Sequence, residues 1–330
     1  MTGVLGHMGV LTRSALLVSI AFLGCTSEGD PADPPPAPTR SDELPAATRG
    51  PATITFAGDD GEIHVFSLAR GDERAVTSIP GPQFDPDGHG RLLVFRDSRA
   101  GVNVNDDIAV IRSDGTRYKN LTRSPDANEW GPVWSPDGRR IAYSSDENGF
   151  PQLFVMDADG SNARQLSNVW GEYPAWSPDG SRIAFESSMG GSTPFGDPDY
   201  DVWVMDTDGS GETNLTAAPD SGDKYPTWSP DGLWIAFEST RGTPPSFEPP
   251  PHDLERLSDD DVWVMRADGS GLRNLTSDLV RLDKFPDWSP QGLLVDREGS
   301  IVVLDPRTGA QDDVSERTGV LGNFPAWVDR

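Results

Sequence analysis

Residues 225–238 read Tyr225-Pro-Thr-Trp228-Ser-Pro-Asp-Gly232-Leu-Trp-Ile235-Ala-Phe-Glu238. A short strand ends at the tryptophan. The proline then presets the first position of a tight turn, and the glycine accepts a left-handed backbone. The run after it is β-branched and aromatic, with no helical period. The phrase recurs as Trp134-Ser-Pro-Asp-Gly138, Trp176-Ser-Pro-Asp-Gly180 and Trp288-Ser-Pro-Gln-Gly292. Phe84-Asp-Pro-Asp-Gly88 reads as a worn copy, and Phe324-Pro-Ala-Trp327 as a final copy cut off by the chain end.

Each repeat continues in the same order. A third strand follows (Leu153-Phe-Val-Met-Asp157, Val202-Trp-Val-Met-Asp206, Val262-Trp-Val-Met-Arg266, Ile301-Val-Val-Leu-Asp305), then an Asp-Gly turn and a short fourth strand ending in Asn-Leu-Thr or its equivalent. The intervals between anchors run from 39 residues (Trp288 to Trp327) to 60 (Trp228 to Trp288), around the length of one four-stranded propeller blade. Residues 52–79 supply three strands but no first one, and 323–328 supply a first strand alone. Pairing them closes a ring and removes two sheet edges. The expected fold is all-β: a six-bladed β-propeller with blades at 52–79 plus 323–328, 82–122, 131–167, 173–216, 225–276 and 285–315.

The phrase Pro-x-Trp-Ser-Pro-Asp-Gly-x-x-Ile-Ala-Phe, followed by Val-x-Val-Met-Asp-x-Asp-Gly-Ser and Asn-Leu-Thr, resembles the repeat of TolB-like six-bladed propellers. The resemblance covers nearly all of residues 51–330 and omits the α/β domain that precedes the propeller in TolB. It implies a module of the bacterial cell envelope that docks an envelope protein or peptide, a peptidoglycan-associated one among the candidates. The same repeat occurs in lyases and in the gating domain of prolyl-oligopeptidase-type peptidases, so the fold leaves chemistry open.

The N-terminus carries an export pattern. Arg13 precedes an apolar run at 14–24, too short to span a bilayer as a mature helix. The single cysteine, Cys25, closes that run in Phe22-Leu-Gly-Cys25, which resembles a lipobox; residues 1–24 are then a lipoprotein signal and Cys25 the lipidated residue. Thr26 in the next position favours the outer membrane in a double-membrane bacterium. Residues 25–50, with Pro34-Pro35-Pro36 and almost no large apolar side chain, read as an extended tether.

The formal net charge is −26, and only Lys119, Lys224 and Lys284 are lysines. Such a surface repels phosphate backbones, which excludes nucleic acid as a partner; the expected state is a monomer. One cysteine excludes a disulfide framework and any multi-cysteine metal site. Asp157-x-Asp159-Gly160 and Asp206-x-Asp208-Gly209 lack the further ligands of a calcium loop and read as hairpin turns. The Asn-Leu-Thr triplets match a glycosylation sequon but are explained by their place in the repeat. No Gly-x-Ser-x-Gly elbow occurs. The expectation is a non-enzyme with no metal and no cofactor.

In a four-stranded meander the turns alternate between two faces. Here one face has short, uniform turns. The other has long, variable loops, including insertions at 188–200 and 240–260, and variable loops on a rigid scaffold are where function concentrates. The residues before each Pro-x-Trp anchor open towards that face near the central channel. They are Asn128, Glu129 and Trp130; Glu172 and Tyr173; Asp223, Lys224 and Tyr225; Asp283, Lys284 and Phe285; and Asn323 and Phe324. The candidate binding set is Glu129, Trp130, Glu172, Tyr173, Asp223, Lys224, Asp283, Lys284 and Asn323. The alternative function is an acidic-polysaccharide lyase or hydrolase, or a carbohydrate-binding propeller, for which Lys224, Lys284 and His252 are the residues to suspect.

Overall fold

In the computed structural model, which describes residues 43–48, 52–98, 105–188, 200–218, 221–241, 260–277 and 282–328, the Ser-Pro-Asp-Gly quartets are tight turns. The N–H groups of Gly138, Gly180 and Gly232 donate to the carbonyls of Ser135, Ser177 and Ser229 at 2.8 Å. The serine hydroxyl donates to the turn aspartate (Ser229 to Asp231, 2.6 Å) and accepts the N–H that restarts the next strand (Trp234, 2.9 Å). Turn and strand start are thus tied by one side chain.

The turns link six four-stranded antiparallel sheets. Blade 1 joins Asn323–Trp327 to Thr53–Ala57, Ile63–Ser67 and Asp72–Ala75, so the last strand of the chain closes the ring. Blade 2 begins with Gln83–His89, blade 3 with Glu129–Trp134, blade 4 with Glu172–Trp176, blade 5 with Asp223–Trp228 and blade 6 with Asp283–Ser289. Residues 41–330 form one compact unit.

The core lies between blades. Trp228 packs on Ala184 and Val202 of blade 4, Trp288 on Ala236 and Val262 of blade 5, and Trp327 on Leu294 and Ile301 of blade 6. Each anchor tryptophan therefore fastens its blade to the preceding one. Arg140 and Arg182 lie over the rings of Trp176 and Trp228, 4.6 and 4.8 Å from the centroids, adding cation–π contact to apolar burial.

The Asn-Leu-Thr triplet is a clasp. In blade 5, Asn274 Nδ2 donates to Asp261 Oδ2 (2.6 Å), and Thr276 Oγ1 accepts from Val262 N–H (2.9 Å). Asn120 and Thr122 of blade 2 and Asn214 and Thr216 of blade 4 repeat the arrangement. Blade 6 replaces the triplet with a five-residue helix, Val314–Thr318, whose Ser315 accepts from Ile301 N–H at 2.8 Å.

Blade 2 corrects the alignment read from sequence. Its first strand continues through Asp85-Pro-Asp-Gly88 past a bulge, pairing Gly88 with Leu93 and His89 with Leu92, and the chain turns only at Gly90. Pro86 is therefore the counterpart of Pro132 and Pro226. The counterpart of the anchor tryptophan is Gly88, not Phe84. A Cβ on Gly88 would lie 2.5 Å from Val328 Cα: the chain end fills the space that a tryptophan occupies elsewhere.

Within the stretch whose composition reads as tether, residues 43–48 lie along the propeller. Leu44 is 3% exposed against Trp234 and Trp288, and Thr48 N–H donates to Pro290 O at 2.7 Å. Cys25, the 1–24 segment, His252 and nearly all of the two loop insertions lie outside the described residues.

Candidate functional site

Every first strand carries a bulge beside the channel. The ladder register shifts between Phe84 and Asp87, Trp130 and Val133, Glu172 and Ala175, Lys224 and Thr227, and Lys284 and Asp287. The residue before the proline has positive φ in all six blades: Phe324 (52°), Asp85 (50°), Gly131 (56°), Tyr173 (46°), Tyr225 (50°) and Phe285 (50°). Proline has no N–H to give a ladder, so a bulge is where it fits. Five non-glycine residues in this region store backbone strain. At Gly131 a Cβ would lie 2.9 Å from Tyr173 Cδ1, so that position is closed to a side chain.

The bulge presents these side chains to one another around the axis. Tyr173 meets Tyr225 at 4.5 Å between ring centroids, Tyr225 meets Phe285 at 4.6 Å, and Phe285 meets Phe324 at 4.2 Å. Four blades thus contribute a continuous aromatic arc. The bulged N–H groups are taken by the preceding blade: Tyr173 N–H donates to Ser144 Oγ (3.0 Å), Tyr225 N–H to Glu186 Oε2 (2.9 Å), Phe285 N–H to Glu238 Oε2 (3.3 Å), and Phe324 N–H to Asp296. In blade 2 the equivalent acceptor position is Arg96, which cannot accept. Asp85 takes over, accepting from Gly131 N–H at 3.3 Å and pairing with Arg96 at 3.4 Å.

The candidate residues separate into two groups. Glu129, Asp223 and Asp283 are 1%, 0% and 0% exposed and serve the blade interior. Asp283 binds Arg297 through two contacts of 2.6 and 2.9 Å. Asp223 binds Arg241 and accepts from Ser239 Oγ, yet burial still raises its carboxyl above the usual range. Glu129 accepts from Thr122 Oγ1 at 3.0 Å, and burial pushes it up to about 7.

Trp130, Glu172, Tyr173, Lys224 and Lys284 lie on the other side of the same strands and do come together; Asn323 is exposed in blade 1. Glu172 is a hub. Trp170 Nε1 donates to it at 2.9 Å, Tyr200 OH at 3.5 Å, and the Trp130 indole donates as well. Burial raises Glu172 above its ordinary value despite those donors. Lys224 Nζ stands over the Tyr200 ring, 5.2 Å from its centroid, and Phe150 extends the aromatic surface beside Trp170.

Lys224 and Lys284 occupy neighbouring blades and both face Glu238. Lys284 Nζ also pairs with Asp260 at 3.1 Å. Burial alone would lower the Lys284 pKa, but Asp260 and Glu238 outweigh it and hold the ammonium above its ordinary range. Burial pushes Glu186 and Glu238 up to about 8 and Asp296 to about 6. Around the mouth of blades 4–6, five carboxyl groups (Glu172, Glu186, Glu238, Asp260, Asp296) surround two lysines.

Sequence reading missed Glu186, Glu238 and Asp296 as members of this set, although the first two close the Ile-Ala-Phe-Glu phrase and sit at one register position. It also missed Trp170 and Tyr200, which lie in loops with no repeat to mark them. Phe84, Asp85 and Arg96 were hidden by the misaligned second blade.

Residues 46–173 match the TolB beta propeller domain. An uncharacterised protein of Agrobacterium fabrum (strain C58) is 28% identical over 235 residues, 70% of each chain. The Tol-Pal system protein TolB of Anaeromyxobacter dehalogenans (strain 2CP-C) is 34% identical over 96 residues, 29% of this chain and 20% of that one. The match therefore spans a fifth of that TolB's length. Among solved structures, TolB from Acinetobacter baumannii superposes with a TM-score of 0.63 at 17% identity, over 84% of this chain and 67% of that one.

Proposed function

We propose, from the match of residues 46–173 to the TolB beta propeller domain and the fold shared with solved TolB, that this chain is an exported, lipid-anchored docking module of the bacterial cell envelope. Its variable face holds a protein or peptide of that compartment. The Arg13, 14–24 and Cys25 pattern supports export and anchoring through Cys25, with the outer membrane as destination. The likeness to TolB supports an envelope partner, and a peptidoglycan-associated protein is the first to test.

The observation that carries the reading is the mouth of blades 3–6. There Glu172 aligns Trp130, Trp170 and Tyr200 into one surface, while Lys224 and Lys284 stand on either side of Glu238. Aromatic surface with a few fixed charges is the composition of a recognition site. The charge balance also bears on the polysaccharide alternative. Lys284 is already paired with Asp260 and so is a poor ligand for a polyanion, which disfavours an acidic polysaccharide against a neutral or basic segment.

In-cell cross-linking followed by mass spectrometry of gently solubilised membranes tests the proposal. A specific envelope protein is expected to be enriched, and the Lys224→Glu, Lys284→Glu double variant is expected to lose it. Equal enrichment by the folded, membrane-bound variant would remove this face as the docking site.

A further inference from the structure

The axial channel has no part in the docking surface and opens at the short-turn mouth on the opposite face. One cavity, of about 340 Å³, lies at the short-turn mouth among Trp134, Trp176, Trp228, Trp288 and the prolines of the Ser-Pro turns. A second, of about 130 Å³, reaches inward to Tyr173, Tyr225, Phe285 and Phe324. The two share Asp87, Ala175 and Thr227, so they form one path from the mouth to the aromatic arc.

The ionisable side chains along this path are mostly acidic. Among the described residues, the ionisable acids lining it are Asp85, Asp87 and Asp287. The only basic side chain is His89, with no lysine or arginine. The three acids come from blades 2 and 6, on either side of Ala326 in blade 1. The tyrosines stand in blades 4 and 5, so the channel has an acidic flank and an aromatic one. Carboxylates and the faces of aromatic rings both attract cations, and the apolar walls suit a hydrocarbon stem.

Asp85 adds an observation independent of this count. Its side chain is 6% exposed, and its Oδ2 lies 3.4 Å from Arg96. Its Oδ1, also buried, accepts no hydrogen bond among the described residues. A buried carboxylate oxygen without a donor is costly unless something supplies one.

A bare metal ion fits less well. Asp87 and Asp287 each use an oxygen to accept a backbone N–H, from Trp134 and Trp327 respectively, both at 2.7 Å. No group of three or more His, Cys, Asp or Glu side chains converges among the described residues. The acids supply a field, not a coordination shell.

We propose that the channel receives an alkylammonium or guanidinium group entering from the short-turn mouth. Its stem lies along the tryptophans and prolines, and its charge lies beside Asp87 and Asp287, with Asp85 at the inner end. A lysine or arginine side chain of a basic partner and a free polyamine share this chemistry.

The test titrates the full chain, in detergent, with n-butylguanidinium, spermidine, the capped peptide acetyl-Gly-Arg-Gly-amide and neutral N-butylurea. Calorimetry and tryptophan fluorescence are the readouts, because indoles wall the mouth. The cations are expected to bind saturably, and N-butylurea about tenfold more weakly or worse. Asp87→Asn and Asp287→Asn keep an acceptor for the tryptophan N–H and are expected to weaken cation binding by about tenfold each. Tighter binding of the peptide than of spermidine assigns the source to a protein side chain, and the reverse order to a polyamine.

Saturable binding absent at millimolar cation, or N-butylurea matching n-butylguanidinium in the unaltered chain, would overturn the proposal without any variant. So would unchanged affinity in both folded Asn variants. The Lys224→Glu, Lys284→Glu variant should retain cation binding while losing its envelope partner, so the two sites fail separately.

Discussion

Blades 2 and 5 meet the same backbone requirements with different side chains. Both bulge one residue before a proline, and both must provide an acceptor for the bulged N–H of the next blade. Blade 5 uses Glu238 from its second strand, with Lys224 and Tyr225 ahead of the proline. Blade 2 has Arg96 at that register position, and the acceptor moves to Asp85 itself. Blade 5 fastens to its neighbour with Trp228, whereas blade 2 has Gly88 because Val328 already fills the site. The bulge and the satisfied N–H persist while residue identities change, because an unsatisfied buried N–H destabilises whichever blade carries it.

Exchanging the anchors tests this contrast most severely. Trp228→Ala is expected to lose about 3–5 kcal/mol of unfolding free energy through the cavity between blades 4 and 5. Gly88→Trp, which restores the repeat's own residue to blade 2, is expected to destabilise by about 3 kcal/mol or more, because backbone blocks the site. Denaturant titrations of both measure it. A neutral Gly88→Trp would mean that blade 2 merely lacks a tryptophan.

Next in size is Arg96→Met, which leaves the buried Asp85 carboxylate without its partner. A loss of about 3 kcal/mol is expected. Asp85→Asn in the same chain should recover most of it, since an amide oxygen still accepts from Gly131 N–H and carries no charge. Failure of that rescue would show that Arg96 acts through packing on Phe84, whose ring centroid lies 4.6 Å from it.

The blades agree at their clasps. Asn120→Ala and Asn274→Ala each remove the same donor to a third-strand aspartate and should cost a similar amount, about 1 kcal/mol. Unequal losses in thermal unfolding would separate blades that geometry makes equivalent.

Blade 5 also carries a pH dependence of its own. Glu238 titrates at about 8 in the fold against an ordinary 4.5. Between those values the folded chain retains a proton that the unfolded chain has released. The associated stability is complete below the unfolded pKa and is lost as pH rises through about 8. Glu238→Gln keeps an acceptor for Phe285 N–H and cannot ionise, so its stability should fall less steeply from pH 5 to pH 9. Parallel curves would place the titration on Glu186 instead, which burial also pushes up to about 8.

Blade number, strand order and ring closure were legible because turn chemistry is local. Pro-Asp-Gly can be recognised wherever it stands, and the pairing of 323–328 with 52–79 follows from strands missing at each end. The same local reading misplaced blade 2, where Asp85-Pro-Asp-Gly88 has the composition of the turn but lies inside a strand. Of the candidate site, Trp130, Glu172, Tyr173, Lys224 and Lys284 were legible as a set, and their carboxyl partners in the second strands were not.

The amino-acid sequence by itself therefore determined a closed ring of six blades, the division into a short-turn and a variable face, and an acidic chain poor in lysine. Tertiary structure alone decided which neighbours face the mouth and which the interior. In a strand, adjacent side chains point to opposite sides, and a one-residue shift exchanges them. Asp223 and Lys224, like Asp283 and Lys284, pair in regular register ahead of the bulge, so alternation alone turns the aspartates inward to arginines and carries the lysines to the mouth. The burial that raises Glu186 and Glu238, and the channel that gathers Asp85, Asp87 and Asp287, arise only when blades distant in the chain close around one axis.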